Sequence, residues 1–172
     1  MNLYLWSQLA GYASTALTLL AAQQKKMTTV LILAIIYNTL SALSNFLVGG
    51  IVGSVLCLVA VGQTLISSLY EKKSRRVPLW ITALFMAAYI ACTALTFSGW
   101  LDLLPCVGAL AYAVAVLQTK TSGYRLCMIV NAGVWMIYEL TLTPPNYAIA
   151  LSGALTLVSI FIGMLRLDRK KN

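Results

Sequence analysis

Residues 23–50 read QQKKMTTVLILAIIYNTLSALSNFLVGG, and this stretch predicts the fold. Lys25 and Lys26 precede about twenty mostly apolar residues, Thr28–Leu47, which stop before a Gly-Gly pair. A helix of that length crosses the hydrocarbon core of a bilayer, which is roughly 30 Å thick. We therefore predict a membrane-spanning helix that follows a basic turn.

Three polar residues interrupt this apolar run at helical spacing. Asn38, Ser41 and Asn45 recur at i, i+3 and i+7, so they share one face of the helix. Lipid cannot satisfy an amide, and each unsatisfied group costs several kcal/mol, so this face should point into the protein. Two interpretations remain open: the wall of a cavity for a polar solute, or interhelical hydrogen bonds worth about 0.6–2 kcal/mol each.

Composition extends the prediction to the whole chain. The 172 residues are 60% hydrophobic and only 9% charged, whereas soluble domains carry about 25% charged residues. This predicts an all-α integral membrane protein. The net charge of +8 does not indicate a nucleic-acid partner, because Lys and Arg are confined to the loops between apolar segments.

The residue types argue against catalysis and metal binding. The chain has no histidine, no paired carboxylates and no nucleophile–base set, so we predict that it is not an enzyme. Its four cysteines lie in separate apolar segments without a CxxC pair. They are interpreted as small buried hydrophobic residues, and neither a cofactor nor a metal is predicted.

Seven apolar segments predict seven transmembrane helices in a single domain, residues 1–172. The links at 48–50 and 98–100 are too short to hold a soluble domain. The predicted helices are Leu3–Ala22, Thr28–Leu47, Ile51–Tyr70, Pro78–Phe97, Leu101–Leu117, Leu126–Thr143 and Tyr147–Leu165.

The positions of Lys and Arg predict the topology. Basic residues follow the first, third, fifth and seventh segments, and the links on the opposite side have none. By the positive-inside rule the N-terminus lies outside, the C-terminus lies inside and the number of spans is odd. The basic residues are Lys25, Lys26, Lys72, Lys73, Arg75, Arg76, Lys120, Arg125, Arg166, Arg169, Lys170 and Lys171.

An odd number of spans favours an internal repeat. Residues 1–70 and 101–165 would form two parallel three-helix halves, with residues 77–97 as a linker helix, in a 3+1+3 arrangement. A faint echo between the halves agrees with this: Asn131 corresponds to Asn38, and Glu139 corresponds to Asn45.

The second half carries its own polar stripe, Asn131, Trp135 and Glu139 at i, i+4 and i+8. Trp135 either stacks on a flat solute ring or packs as an ordinary interior aromatic. Glu139, the one carboxylate beyond the first turn of a predicted span, is a candidate for an outer gate, for attraction of a cation or for proton coupling. The alternative is a solvated acid near the interface. Asp102 is predicted to cap the start of the fifth helix.

Several residues in the second half of the chain resemble those of a known family. The segment 102–108, DLLPCVG, is followed by Tyr112, Lys120, Arg125-Leu-Cys127 and Asn131-x-x-x-Trp135. Together these residues resemble the YgjV family of bacterial inner-membrane proteins over most of the chain. The resemblance implies a multi-pass protein of the bacterial inner membrane and names no activity.

More distantly, the 3+1+3 plan resembles the PQ-loop and SWEET group of sugar transporters, which place Asn and Trp around a central solute cavity. The Pro-Gln signature is absent, and Ala22-Gln23 and Leu117-Gln118 stand in its place. The predicted function is a small-solute facilitator or transporter in the lipid bilayer, with a polar small molecule as partner. The alternative is a non-transporting scaffold or partner-binding protein, and a homo-oligomer is left open. The candidate substrate-binding residues are Asn38, Ser41, Asn45, Asn131, Trp135 and Glu139.

Overall fold

The computed structural model describes residues 2–22, 27–73, 75–117 and 121–167, and these form seven α-helices without a strand. The all-α prediction is confirmed. Several residues of the sequence analysis lie outside the described ranges: Gln23, Lys25, Lys26, Gln118, Lys120 and the C-terminal basic residues from Arg169 onward. The helices are α1 (Leu3–Ala22), α2 (Met27–Leu47), α3 (Ile51–Lys72), α4 (Leu79–Thr96), α5 (Leu103–Leu117), α6 (Thr121–Thr141) and α7 (Tyr147–Leu167).

The turn between α2 and α3 depends on glycine. Gly49 has a φ of 83°, in the left-handed region that a residue with a Cβ rarely adopts. The N–H of Gly50 then donates to the carbonyl of Asn45 at 2.9 Å, which closes the end of α2. The predicted end of this span at the Gly-Gly pair therefore has a conformational cause.

The link before α5 differs from the prediction. A short 3₁₀ turn, Trp100–Asp102, precedes the helix, so α5 begins at Leu103. Asp102 Oδ2 accepts hydrogen bonds from the N–H groups of Ser98 at 2.7 Å and Gly99 at 3.1 Å. Asp102 thus caps the link and its 3₁₀ turn rather than α5 itself.

The distribution of side chains is that of a protein in lipid. Within the described ranges, three helices are long and apolar enough to cross a membrane: Thr28–Leu47, Ile51–Lys72 and Leu79–Thr96. The apolar parts of α5, α6 and α7 are shorter. Large apolar side chains point outward, with Leu95 86% exposed, whereas Ser7 and Asn45 are fully buried. Polar groups turn inward because lipid offers them no hydrogen bonds.

The helices pack largely in chain order. α2 packs between α1 and α3, and α6 packs between α5 and α7. Two further contacts join these groups, α1 with α7 and α3 with α5, and α4 packs against α3 and α5. Although α4 is the least buried of the three long apolar helices, its Tyr89 is fully buried and donates to Gln63 Oε1 at 2.7 Å.

Small residues allow the closest helix contacts. A Cβ on Gly11 of α1 would lie 2.6 Å from Ala148 Cβ of α7, and one on Gly108 of α5 would lie 2.7 Å from the indole of Trp135. Close approach at small residues is a main source of helix association in membranes, where no hydrophobic driving force exists between helices. Gly11 therefore determines how closely α1 and α7 approach.

Candidate functional site

A cavity of about 120 Å³ lies among the helices, and all six residues singled out in the sequence line it. Each of the seven helices contributes at least one lining residue, including Thr18 of α1, Tyr89 of α4 and Thr156 of α7. Most of the wall is apolar or aromatic, with polar groups at a few positions. This is the usual construction of a small-molecule site.

The two asparagines that correspond in the sequence differ in their contacts. Asn131 Nδ2 donates to the carbonyl of Gly108 at 2.8 Å, which joins α6 to α5. Asn38 Nδ2 is buried and has no hydrogen-bond partner among the described residues. The interpretation as an interhelical hydrogen bond thus fits Asn131, whereas Asn38 lines the cavity and has a buried donor without a partner in the described chain.

Ser41 has a partner within its own half of the chain. Its hydroxyl is hydrogen-bonded to the Ser14 hydroxyl at 2.7 Å, and Ser14 also donates to the carbonyl of Tyr37 at 3.0 Å. These bonds join α1 to α2. Ser41 therefore has a structural role in addition to its place in the cavity wall.

Asn45 and Glu139, the other pair of corresponding positions, meet directly. Asn45 Nδ2 donates to Glu139 Oε1 at 2.9 Å, and both residues are fully buried. The interpretation of Glu139 as a solvated interfacial acid is therefore wrong. Within the described part of the chain, Asn45 Oδ1 and Glu139 Oε2 have no hydrogen-bond partner. That leaves two buried acceptors at one end of the cavity.

Trp135 combines packing with cavity lining. Its indole contacts Tyr138 edge-on, with ring centroids 5.9 Å apart, and it packs closely over Gly108. The side chain is only partly buried and also lines the cavity. Both interpretations of Trp135 thus remain compatible with its position.

Asn146, which is not among the six candidate residues, closes this end of the site. Its N–H donates to the Glu139 carbonyl at 3.0 Å, and its Nδ2 donates to Ser44 Oγ at 2.9 Å. It is fully buried although it lies in the link before α7. Asn45, Glu139 and Asn146 thus form the end of the site that adjoins the 2–3 and 6–7 links.

Three tyrosines of the cavity wall, Tyr37, Tyr89 and Tyr112, were also missed as site residues. Tyr89 enters from α4, and Tyr112 of α5 is hydrogen-bonded to Thr64 at 3.2 Å. The available signal was a tyrosine in the middle of an apolar span, where its hydroxyl needs a partner inside the protein. In the described residues, no group of three His, Cys, Asp or Glu side chains is placed to hold a metal ion.

Comparison with known proteins gives one match. No curated protein and no solved structure matches the chain. A family model described as "Bacterial inner membrane protein", Imp-YgjV, matches residues 5–171. The chain therefore belongs to the Imp-YgjV family and is a protein of the bacterial inner membrane.

Proposed function

We propose that this protein transports or facilitates the passage of a small polar solute across the inner membrane. The observation that carries the proposal is the cavity, which has unpartnered buried polar atoms on both α2 and α6. Buried polar groups almost always have partners, so such atoms need an explanation. A bound solute that pairs with Asn38, Asn45 and Glu139 supplies one.

The proposed architecture is seven spans in a 3+1+3 arrangement, with the N-terminus outside and the C-terminus inside. A twofold relation between the halves would make the α1–α7 contact equivalent to the α3–α5 contact, and both contacts exist. It would also bring corresponding positions of α2 and α6 together, as in the Asn45–Glu139 hydrogen bond. These contacts support the repeat.

The transport mechanism we propose is alternating access, in which the two halves rock around the cavity. In the conformation described here, Asn45, Glu139 and Asn146 would form the closed outer side. Opening would require the buried hydrogen bond between Asn45 and Glu139 to break or exchange partners. A non-transporting scaffold has no use for unpartnered polar atoms in a cavity, and this supports transport over the scaffold.

A solute screen tests the proposal. A ligand that binds only the folded state raises the melting temperature. We expect at least one class among polyols, amines, amino acids and small carboxylates to raise the melting temperature of the purified protein and to enter proteoliposomes. A panel in which no compound does either would favour the scaffold.

Cysteine labelling tests the topology. In a variant with the four native cysteines replaced, Thr143→Cys should react with a membrane-impermeant maleimide added outside the cell, and Ser74→Cys should react only after lysis. The reason is that the basic residues around position 74 stay inside, whereas the 6–7 link has none. The reverse labelling pattern would contradict the orientation and the repeat that depends on it.

A further inference from the structure

At the end of the cavity formed by Asn45 and Glu139, two hydrogen-bond acceptors have no donor among the described residues. One carboxylate oxygen of Glu139 accepts from Asn45, and the other makes no hydrogen bond among the described residues, although the Asn146 side chain lies beside the carboxyl. Asn45 Oδ1 is likewise buried and unpartnered in that part of the chain. When Glu139 is ionised, its free carboxylate oxygen and the amide oxygen of Asn45 both accept, so a ligand that meets this form of the site must bring hydrogen-bond donors.

The charge of Glu139 also lacks a counterion in its surroundings. The described cavity wall contains no Lys or Arg, and the chain has no histidine. Cys57 on α3 lines the same cavity wall, and Tyr138 directly precedes Glu139 on α6. The other titratable groups of the cavity wall are Tyr37 on α2, Tyr89 on α4 and Tyr112 on α5. No titratable side chain from the described part of α7 lines the cavity.

None of these neighbours supplies a positive charge, since thiols and phenols are neutral when protonated. A bare carboxylate in a buried site is strongly unfavourable unless it is neutralised. Asp102, near the same end, is held by Ser98 and Gly99 in the link and lies outside the cavity wall. Neutralisation of Glu139 therefore requires a proton on the carboxyl or a cation from outside.

The size of the cavity limits the cation. Its volume of about 120 Å³ is smaller than the roughly 150 Å³ cavity that accommodates benzene. In this conformation a hexose, a six-membered ring with substituents, exceeds the volume, whereas a short aliphatic amine does not. The aromatic side chains of Trp135 and Tyr112 in the same wall would favour a cation over a neutral molecule.

We propose that the solute is a small organic cation with a primary ammonium group, which binds Glu139 and Asn45 in exchange for a proton. This inference rests on the proposed transport function and names its substrate class. In the exchange, the O–H bond of the carboxylic acid breaks and the proton leaves to water. The ammonium group takes its place and donates N–H bonds to Glu139 Oε2 and Asn45 Oδ1. The site stays neutral in both states, so one cation moves against one proton.

Two probes test the proposal, ethanolamine and ethylene glycol. They have the same chain length and differ only in that ethanolamine carries an ammonium group where ethylene glycol has a hydroxyl. Titration calorimetry of the full chain in two buffers of different ionisation enthalpy gives both the affinity and the number of protons released. We expect ethanolamine to bind at least about tenfold more tightly and to release about one proton per molecule bound. Where the acid holds its proton, affinity should fall about tenfold per unit decrease in pH.

Matched variants locate the effect. Glu139→Gln keeps the shape of the side chain and removes its charge, so ethanolamine affinity should fall at least about tenfold and proton release should disappear. Asp102→Asn makes the same change at a buried acid outside the cavity and should alter neither quantity. If Glu139→Gln does not fold, the two probes and the proton count on the wild-type protein decide the matter.

Three results would overturn this inference. Equal affinity for both probes, or binding of ethanolamine without proton release, would exclude the exchange and leave a solute site in place. Absence of binding by either probe would also exclude it. The proposed transport function is judged separately, by uptake in the broader solute panel.

Discussion

Asn38→Leu should abolish solute uptake by proteoliposomes and leave the melting temperature close to that of the wild type. Asn38 Nδ2 is buried and has no partner within the described ranges, so the substitution breaks none of its hydrogen bonds. Removing a buried donor that is already unsatisfied has little or no cost in stability. The leucine would instead take a polar contact from the solute, because Asn38 lines the cavity.

Asn131→Leu is the matched control, with the same chemical change on the corresponding helix. Asn131 Nδ2 donates to the Gly108 carbonyl at 2.8 Å, and its loss should lower the free energy of unfolding by about 1 kcal/mol. Melting temperature and uptake are measured on both variants. Normal uptake by Asn38→Leu would remove this residue from the site. A destabilisation equal to that of Asn131→Leu would favour a role in interhelical hydrogen bonding.

Gly11→Ala should lower the free energy of unfolding by about 1–3 kcal/mol, the usual cost of overpacking. The new Cβ would lie 2.6 Å from Ala148 Cβ and 3.2 Å from Ser44 Oγ. The first contact would force α1 away from α7. In the proposed arrangement, the contact between these two helices joins the two halves. The second would disturb Ser44, which accepts the hydrogen bond of Asn146 at the closed end of the cavity.

Gly133→Ala on α6 is the control for the change in helix propensity. A Cβ there meets nothing within 4 Å. Alanine in a helix is more favourable than glycine by about 0.5–1 kcal/mol, so Gly133→Ala should be neutral or slightly stabilising. Denaturation of both variants in the same detergent gives the difference between them. Equal stability would contradict the close α1–α7 contact.

The all-helical fold, the approximate ends of most helices and the inward direction of the polar stripes follow from the sequence alone. The start of α6 does not, because the helix begins at Thr121 rather than at the predicted Leu126. Lipid leaves the backbone only its own hydrogen bonds, so long apolar runs must be helices, and a polar face must turn inward. The run from Thr28 to Leu47 and the stripe of Asn38, Ser41 and Asn45 are local patterns of this kind. Such patterns need no knowledge of the neighbouring helices.

Only the tertiary structure decided which of these polar groups has a partner. Asn38 and Asn131 have the same place in the sequence pattern, yet one is unpartnered in the described structure and the other is bonded to Gly108. Glu139 is buried against Asn45, which is distant in sequence. Tyr89 likewise lines the cavity because α4 packs against α3 and α5. A hydrogen-bond partner depends on the relative positions of whole helices, and these positions follow from packing at small residues rather than from hydropathy.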